Sequence, residues 1–155
     1  MGTSVVTSMP EIATEWQRFE QLSATKLYEL LRFRQGIFVV EQGSPYPDLD
    51  GLDQSAWHLL LRVDGTLAGY SRLIPPPVRI GRVAVAAPLR GRGLGRRLME
   101  EALSFCRERY PAQDIVLAAQ LELASFYESF DFAVISEPYD DFGVMHVEMS
   151  LRPGG

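Results

Sequence analysis

Glycines at 91, 93 and 95, set among Arg90, Arg92, Arg96 and Arg97, have the composition of an anion site. They follow the apolar run Val83-Ala84-Val85 and lead into the periodic run that starts at Leu94. This reads as a strand, a tight turn and a helix start. Glycine lets the backbone turn without a side chain in the way, so successive N–H groups can converge on one point. The helix dipole adds partial positive charge at the same place. Phosphate is the simplest ligand for such a turn.

Two familiar phosphate loops do not fit. A dinucleotide fingerprint needs a third glycine where this chain has Arg96. A Walker loop needs a Gly-Lys pair, and the one lysine in the chain is Lys26. What remains is Arg90-x-x-Gly93-x-Gly95 after Val83-x-Val85. This pattern resembles the acetyl-coenzyme A loop of the GCN5-related N-acetyltransferases (GNAT). A second segment resembles the same family: an apolar strand at 115–119, Gln120, then Phe126-Tyr127-Glu128 and Phe130-Asp131-Phe132. Further runs are similar to the ElaA-like subgroup. These are Phe38-Val39-Val40-Glu41-Gln42, residues 45–53, Trp57-His58-Leu59, Ile80-Gly81-Arg82-Val83 and residues 139–146. The resemblance extends from about residue 16 to residue 151.

The resemblance implies an α/β GNAT acyl-CoA N-acyltransferase fold, with a mixed central sheet and helices on both faces. It implies acetyl-CoA as co-substrate and an amine as acceptor, either a small molecule or a peptide. The cofactor side would comprise Val83, Ala84, Val85, Arg90, Gly91, Arg92, Gly93, Leu94, Gly95, Arg96 and Gln120. Gln120 stands where many relatives carry an Asn that touches the pantetheine arm. Tyr127 occupies the position of the acid that protonates the leaving thiolate, and a tyrosine hydroxyl is protonated at neutral pH. Glu41 and His58 are the candidate bases, with Glu122 behind them. His58 also reads as a structural histidine on an apolar strand, and water-mediated deprotonation needs no base at all. A non-catalytic acyl-CoA-binding module would carry the same loop. Homodimers are common in the family.

Asp48, Asp50 and Asp53 invite a calcium reading, but Gly51 comes too early for an EF-hand and its twelfth position falls on Leu59. No metal is expected. A loop shaping the acceptor mouth, or Asx turns, suits these residues better. Asp131 departs from the family pattern, which has glycine there. That position follows a helix, where left-handed backbone is common, and Asp tolerates it better than most residues.

The elements that must position these groups follow from the patterning. A first strand is expected near 16–19. Ser23 or Thr25 can cap a helix carrying Leu27, Leu30, Leu31 and Phe38. Asp64-Gly65 marks a hairpin between two apolar runs, 57–63 and 66–74. Strands are expected at 79–86, 115–119, near 132–136 and at 144–151. Leu94, Leu98, Ala102 and Phe105, with Met99, Leu103 and Cys106 beside them, define a broadly buried helix ending at Tyr110-Pro111.

At 155 residues and 46% hydrophobic composition, the chain suits one domain, 1–155. A net charge of −5 disfavours nucleic acid and favours cationic acceptors. No apolar run approaches the roughly 20 residues of a membrane span. The N-terminus lacks a signal-peptide pattern, and Val6 stands where N-myristoylation wants Ser or Thr. A lone cysteine, Cys106, excludes an intrachain disulfide and fits a reducing cytoplasm.

Overall fold

A computed structural model describes residues 9–154. The expectations of no signal peptide and no N-myristoylation, which fall on residues 1–8, lie outside the described residues. Eight strands form one mixed sheet: β1 (Ile12–Arg18), β2 (Trp57–Val63), β3 (Thr66–Ile74), β4 (Val78–Val85), β5 (Ile115–Gln120), β6 (Ala133–Val134), β7 (Tyr139–Asp141) and β8 (Val144–Leu151). The spatial order is β1-β2-β3-β4-β5-β8-β6, with β7 also paired to β8. All pairs are antiparallel except β4 with β5. The helices are α1 (Ala24–Gln35), α2 (Leu94–Arg109) and the short α3 (Ala124–Glu128).

Strand β2 shows why helices must cover both faces. Successive side chains alternate across a strand. Leu60 packs in a cluster with Leu30 of α1 and Tyr70, while Leu59 and Leu61 pack with Leu94 and Leu98 of α2. Gly69 on β3 lets α2 approach closely, since a Cβ there would lie 3.2 Å from Leu98 Cδ1. All seven residues assigned from the sequence to the buried side of α2 are buried. The Ser23 hydroxyl caps α1, accepting from the Lys26 N–H at 3.1 Å.

Three expectations need correction. The first strand begins at Ile12 rather than near residue 16, because Ile12 to Arg18 pair in continuous register with Val63 to Trp57. The strand expected at 132–136 is only the pair Ala133–Val134. Phe38 is not on α1, because the chain widens at Gly36 into a π-helical turn, Gly36–Glu41. That extra turn residue changes which side chains face the sheet.

Candidate active site

The glycine loop has the geometry its composition asks for. Gly91 and Gly93 take φ of 80° and 82°, a left-handed conformation that costs glycine little. Gly93 is the N-cap of α2 and offers no capping side chain, so the first-turn N–H groups have no intrahelical acceptor. A groove of about 850 Å³ opens in front of them. Its wall includes Val83, Ala84 and Val85 together with Gly91, Gly93 and Gly95. Arg90 and Arg96 line it as well; Arg92 does not. Arg96 is held over the Phe130 ring at 4.6 Å. Arg97 turns to Glu101 at 3.2 Å.

β4 and β5 pair only at Val78–Ile115 and Arg79–Val116. Beyond Arg79 they part, and the opening between them is a cavity of about 300 Å³. This inner cavity and the outer groove share lining residues, among them Phe38, Val83, Gln120, Tyr127 and Val144.

A bulge in β4 sits at the same place. Tyr70 pairs with Ala84 and Arg72 with Gly81, so two steps on β3 face three on β4. The ladder is interrupted there, which leaves backbone groups next to Val83 without their strand partners. Arg82 adopts φ of 53° and its side chain turns into the inner cavity wall.

Tyr127 is buried at 7% exposure on α3 and lines both spaces. Among the described residues its hydroxyl has no hydrogen-bonding partner, although its ring packs edge-on against Phe126 and Phe132. Burial pushes that hydroxyl up to about 12. It is therefore a neutral donor throughout the physiological range.

Glu41 ends the π-helical turn and lines the outer groove, not the inner cavity as its expected place near the acceptor implies. It is drawn there by Arg90, whose Nη2 lies 2.8 Å from Glu41 Oε2. Glu122 also lines the groove.

His58 lies off both spaces. It is 0% exposed on β2, and both ring nitrogens are engaged. Nε2 donates to the Asp53 carbonyl at 2.9 Å, so Nδ1 accepts from the Tyr70 hydroxyl at 2.6 Å. Burial, with Arg34 and Arg72 nearby, lowers its pKa and keeps it neutral, although Asp53 opposes the shift. The expectation of His58 as a base is corrected on these grounds: no lone pair is left to take a proton.

The aspartates of the 43–52 loop and its flank do not form an open acidic mouth. Arg34 is 0% exposed and binds Asp48 Oδ2 at 3.1 Å and Asp53 Oδ1 at 2.6 Å. Arg72 grips Asp50 with both Nη atoms, at 2.8 and 2.7 Å, and reaches Asp53 at 3.2 Å. Arg82 lies 3.0 Å from Asp48 and 3.1 Å from Asp50, with its guanidinium 4.8 Å over the Tyr46 ring. Three arginines thus balance three aspartates. Burial alone would raise Asp50; hydrogen bonds from Arg72 and the Leu52 N–H, with the charges of Arg72 and Arg82, hold it down at about 2. Among the described residues no group of three or more His, Cys, Asp or Glu is placed to hold a metal ion.

Comparison with known proteins decides the family. A family model described as an acetyltransferase (GNAT) domain matches residues 39–153. The chain belongs to the GNAT acetyltransferase family. ElaA of Escherichia coli strain K12 is 39% identical over 145 residues, 88% of this chain and 95% of that protein. A UPF0039 protein of Synechocystis sp. is 40% identical over 148 residues, 92% of this chain and 96% of that one. An acyl-CoA N-acyltransferase from Pseudomonas aeruginosa superposes with a TM-score of 0.86 at 35% identity, covering 90% of this chain and 99% of its own. The architecture is accordingly the GNAT acyl-CoA N-acyltransferase fold, and the family's co-substrate is an acyl-CoA. In this GNAT chain the sequence pattern led to the loop and to Tyr127. It missed Arg34, Arg72 and Arg82, and also the placement of Val144 and His146 in the inner cavity wall. One signal was available: Arg34 falls four residues after Leu30, on the apolar stripe of α1.

Proposed function

We propose that this protein is an acetyl-CoA-dependent N-acetyltransferase acting on an amine acceptor by direct attack in a ternary complex. The observation that carries this reading is the meeting of a groove and a cavity at Tyr127. The groove suits the coenzyme and the cavity suits the acceptor.

The fit of the coenzyme rests on the unpartnered first-turn amides of α2 and on the glycines at 91 and 93. These would hold the pyrophosphate. Arg90 and Arg96 add positive charge beside it. Val83, Ala84 and Val85 offer a strand edge to the pantetheine amides, and Gln120 lines the same groove. The thioester supplies the electrophilic carbonyl. A backbone N–H freed at the β4 bulge is suited to stabilise negative charge on its oxygen. Tyr127 donates its proton to the departing sulfur. His58 and the Arg34–Asp48–Asp53 group hold the frame around the cavity and take no part in proton transfer.

On the acceptor side the walls are aromatic, with Phe38, Tyr46 and Tyr139 among them. Asp141 lines the same space and forms no ion pair among the described residues. A carboxylate beside aromatic faces suits a cationic amine. Free-thiol release from acetyl-CoA against amines, polyamines, amino acids and peptides tests the reading. Release that depends on one acceptor class, and falls when Gly93 is replaced, is the expected result. Acetyl-CoA binding with no release on any acceptor would count against an enzyme.

A further inference from the structure

We propose that His146 is the base that takes the proton from the acceptor amine. This rests on the acetyltransferase reading above and names the catalytic group that the reading leaves open.

Neither Glu41 nor His58 is placed for the task. Glu41 is held at the outer groove by Arg90, and both nitrogens of His58 are occupied. His146 differs on each count. It lies on β8 in the wall of the inner cavity, half-buried. Its register partner on β5 is Gln120, which lines both the cavity and the groove. His146 therefore stands at the level where acceptor and thioester must meet.

Its tautomer is also set. Nδ1 lies 2.8 Å from the carbonyl oxygen of Val144, which can only accept, so Nδ1 carries the hydrogen. The ring stacks on Tyr139 with centroids 6.1 Å apart and planes 25° apart. These contacts fix the ring and leave Nε2 as a lone-pair acceptor with no partner among the described residues. That is the arrangement a general base needs.

The surrounding charges do not compete for this nitrogen. Gln120 on β5 is neutral, and Tyr139 on β7 donates its hydroxyl to Glu148 at 3.0 Å. Arg79 on β4 pairs with Glu148, and Arg82 pairs with Asp48 and Asp50. Arg72 on β3 also lines the cavity and pairs with Asp50, while Asp141 on β7 has no ion pair among the described residues and can hold the ammonium on arrival.

The protons balance as follows. His146 Nε2 accepts one proton from the ammonium, which frees the nitrogen lone pair. The carbon–nitrogen bond forms and the carbon–sulfur bond breaks, its electron pair passing to sulfur. Sulfur takes the Tyr127 proton, and the second amine proton restores Tyr127. Amide and thiol result, and His146 releases its proton to water.

The chain contains two histidines, and His58 is fully buried, which makes the test selective. Alkylamines, polyamines, amino acids and peptides serve as acceptors, with acetyl-CoA affinity measured in parallel by calorimetry. His146→Gln should lower kcat about 100-fold while acetyl-CoA affinity stays within about two-fold. The variant should then depend on the free-amine fraction, so its rate should keep rising with pH toward the acceptor's own pKa, and added imidazole should partly restore His146→Ala. In the parent protein, diethyl pyrocarbonate should abolish turnover with one histidine modified, and bound acetyl-CoA with acceptor should protect it. This arm needs no variant to fold. A His146→Gln protein that keeps the parent rate and profile, or a parent that stays active once modified at one histidine, would overturn the assignment alone. A parent that turns over none of these acceptors would overturn the acetyltransferase reading and this assignment with it.

Discussion

Glu41 and Arg90 form an ion pair of 2.8 Å that ties the end of the π-helical turn to the first residue of the glycine loop. Arg90 is anchored at the same time by its Nε, which donates to the Val85 carbonyl at 3.0 Å. The guanidinium therefore stands at the groove with one carboxylate already on it. An arriving pyrophosphate would compete with Glu41 for this cation.

That competition has a measurable sign. Both side chains are about two-fifths exposed, and pairs of that kind contribute about 1 kcal/mol or less. Glu41→Gln should therefore tighten acetyl-CoA by no more than about five-fold. S-acetylpantetheine lacks the pyrophosphate, and its affinity should not change. Calorimetry on the two ligands separates the cases. Weaker acetyl-CoA binding by the glutamine variant would mean that the pair supports the loop instead of competing for Arg90.

The Tyr127 hydroxyl separates catalysis from stability. It has no partner among the described residues, so Tyr127→Phe should leave the melting temperature within about 1 °C, a shift well under 1 kcal/mol for a chain of this size. The same change should lower kcat about 100-fold with little effect on the acetyl-CoA KM. Because burial holds the hydroxyl up at about 12, Tyr127 stays protonated across the working range. Any fall in parent rate between neutrality and about pH 10 must then come from another group. A Phe variant with parental kcat would remove Tyr127 from the mechanism.

The arginine–aspartate group makes the fold sensitive to acid. Asp50 is held at about 2 against an ordinary 3.8, so the fold favours its charged form. Its contribution is present above about pH 4 and is lost as pH falls toward 2. Asp53 is lowered as well: burial opposes this, and Arg34 and Arg72 outweigh it. His58 acts in the same direction over a higher window. Its value is lowered from 6.5, so the unfolded chain gains a proton that the folded one resists as pH drops below that point. Thermal melts should show stability declining from about pH 6.5 downward and steeply below 4. Arg34→Ala should cost about 3 kcal/mol in urea unfolding. That is the low end for a broken buried pair, because Arg72 and Arg82 still reach the aspartates. A variant as stable as the parent would show that the group is not structural.

The parts of this site that depend on local sequence were legible, and those that depend on pairing between distant segments were not. Gly93 caps α2 and Tyr110 follows its last turn because short-range glycine and helix-end signals decide both. The Asp64-Gly65 turn, with φ of 50° and 83°, follows from two residues alone. The β4 bulge is different. It exists because β3 and β4 fall out of register between Tyr70 and Arg72, which no run of β4 residues announces. The aspartates drew notice as a cluster, yet their arginine partners come from α1, β3 and β4. His146 was visible only as part of a terminal motif, and its place beside Gln120 requires the β5–β8 pairing.

Two residues with the same backbone strain should respond oppositely to glycine. Asp131 takes φ of 72° just after α3, the left-handed turn that the departure from the family pattern suggested. Arg82 takes φ of 53° at the bulge. A left-handed non-glycine residue costs on the order of 1 kcal/mol. At position 131 the side chain is exposed and its N–H bonds to the Glu128 carbonyl at 2.9 Å, a contact that glycine keeps. Relief of strain should slightly exceed the added unfolded-state freedom of glycine. Asp131→Gly should thus gain about 0.5 kcal/mol and about 1–2 °C in melting temperature. Arg82→Gly relieves the same strain but strips Asp48, Asp50 and Tyr46 of a cation. It should lose about 2 kcal/mol, the scale of charged hydrogen bonds. Parallel melts of the two variants read the difference directly. If both glycines stabilised the protein, the strain at Arg82 would outweigh its ion pairs, and the network would not be what holds the bulge in place.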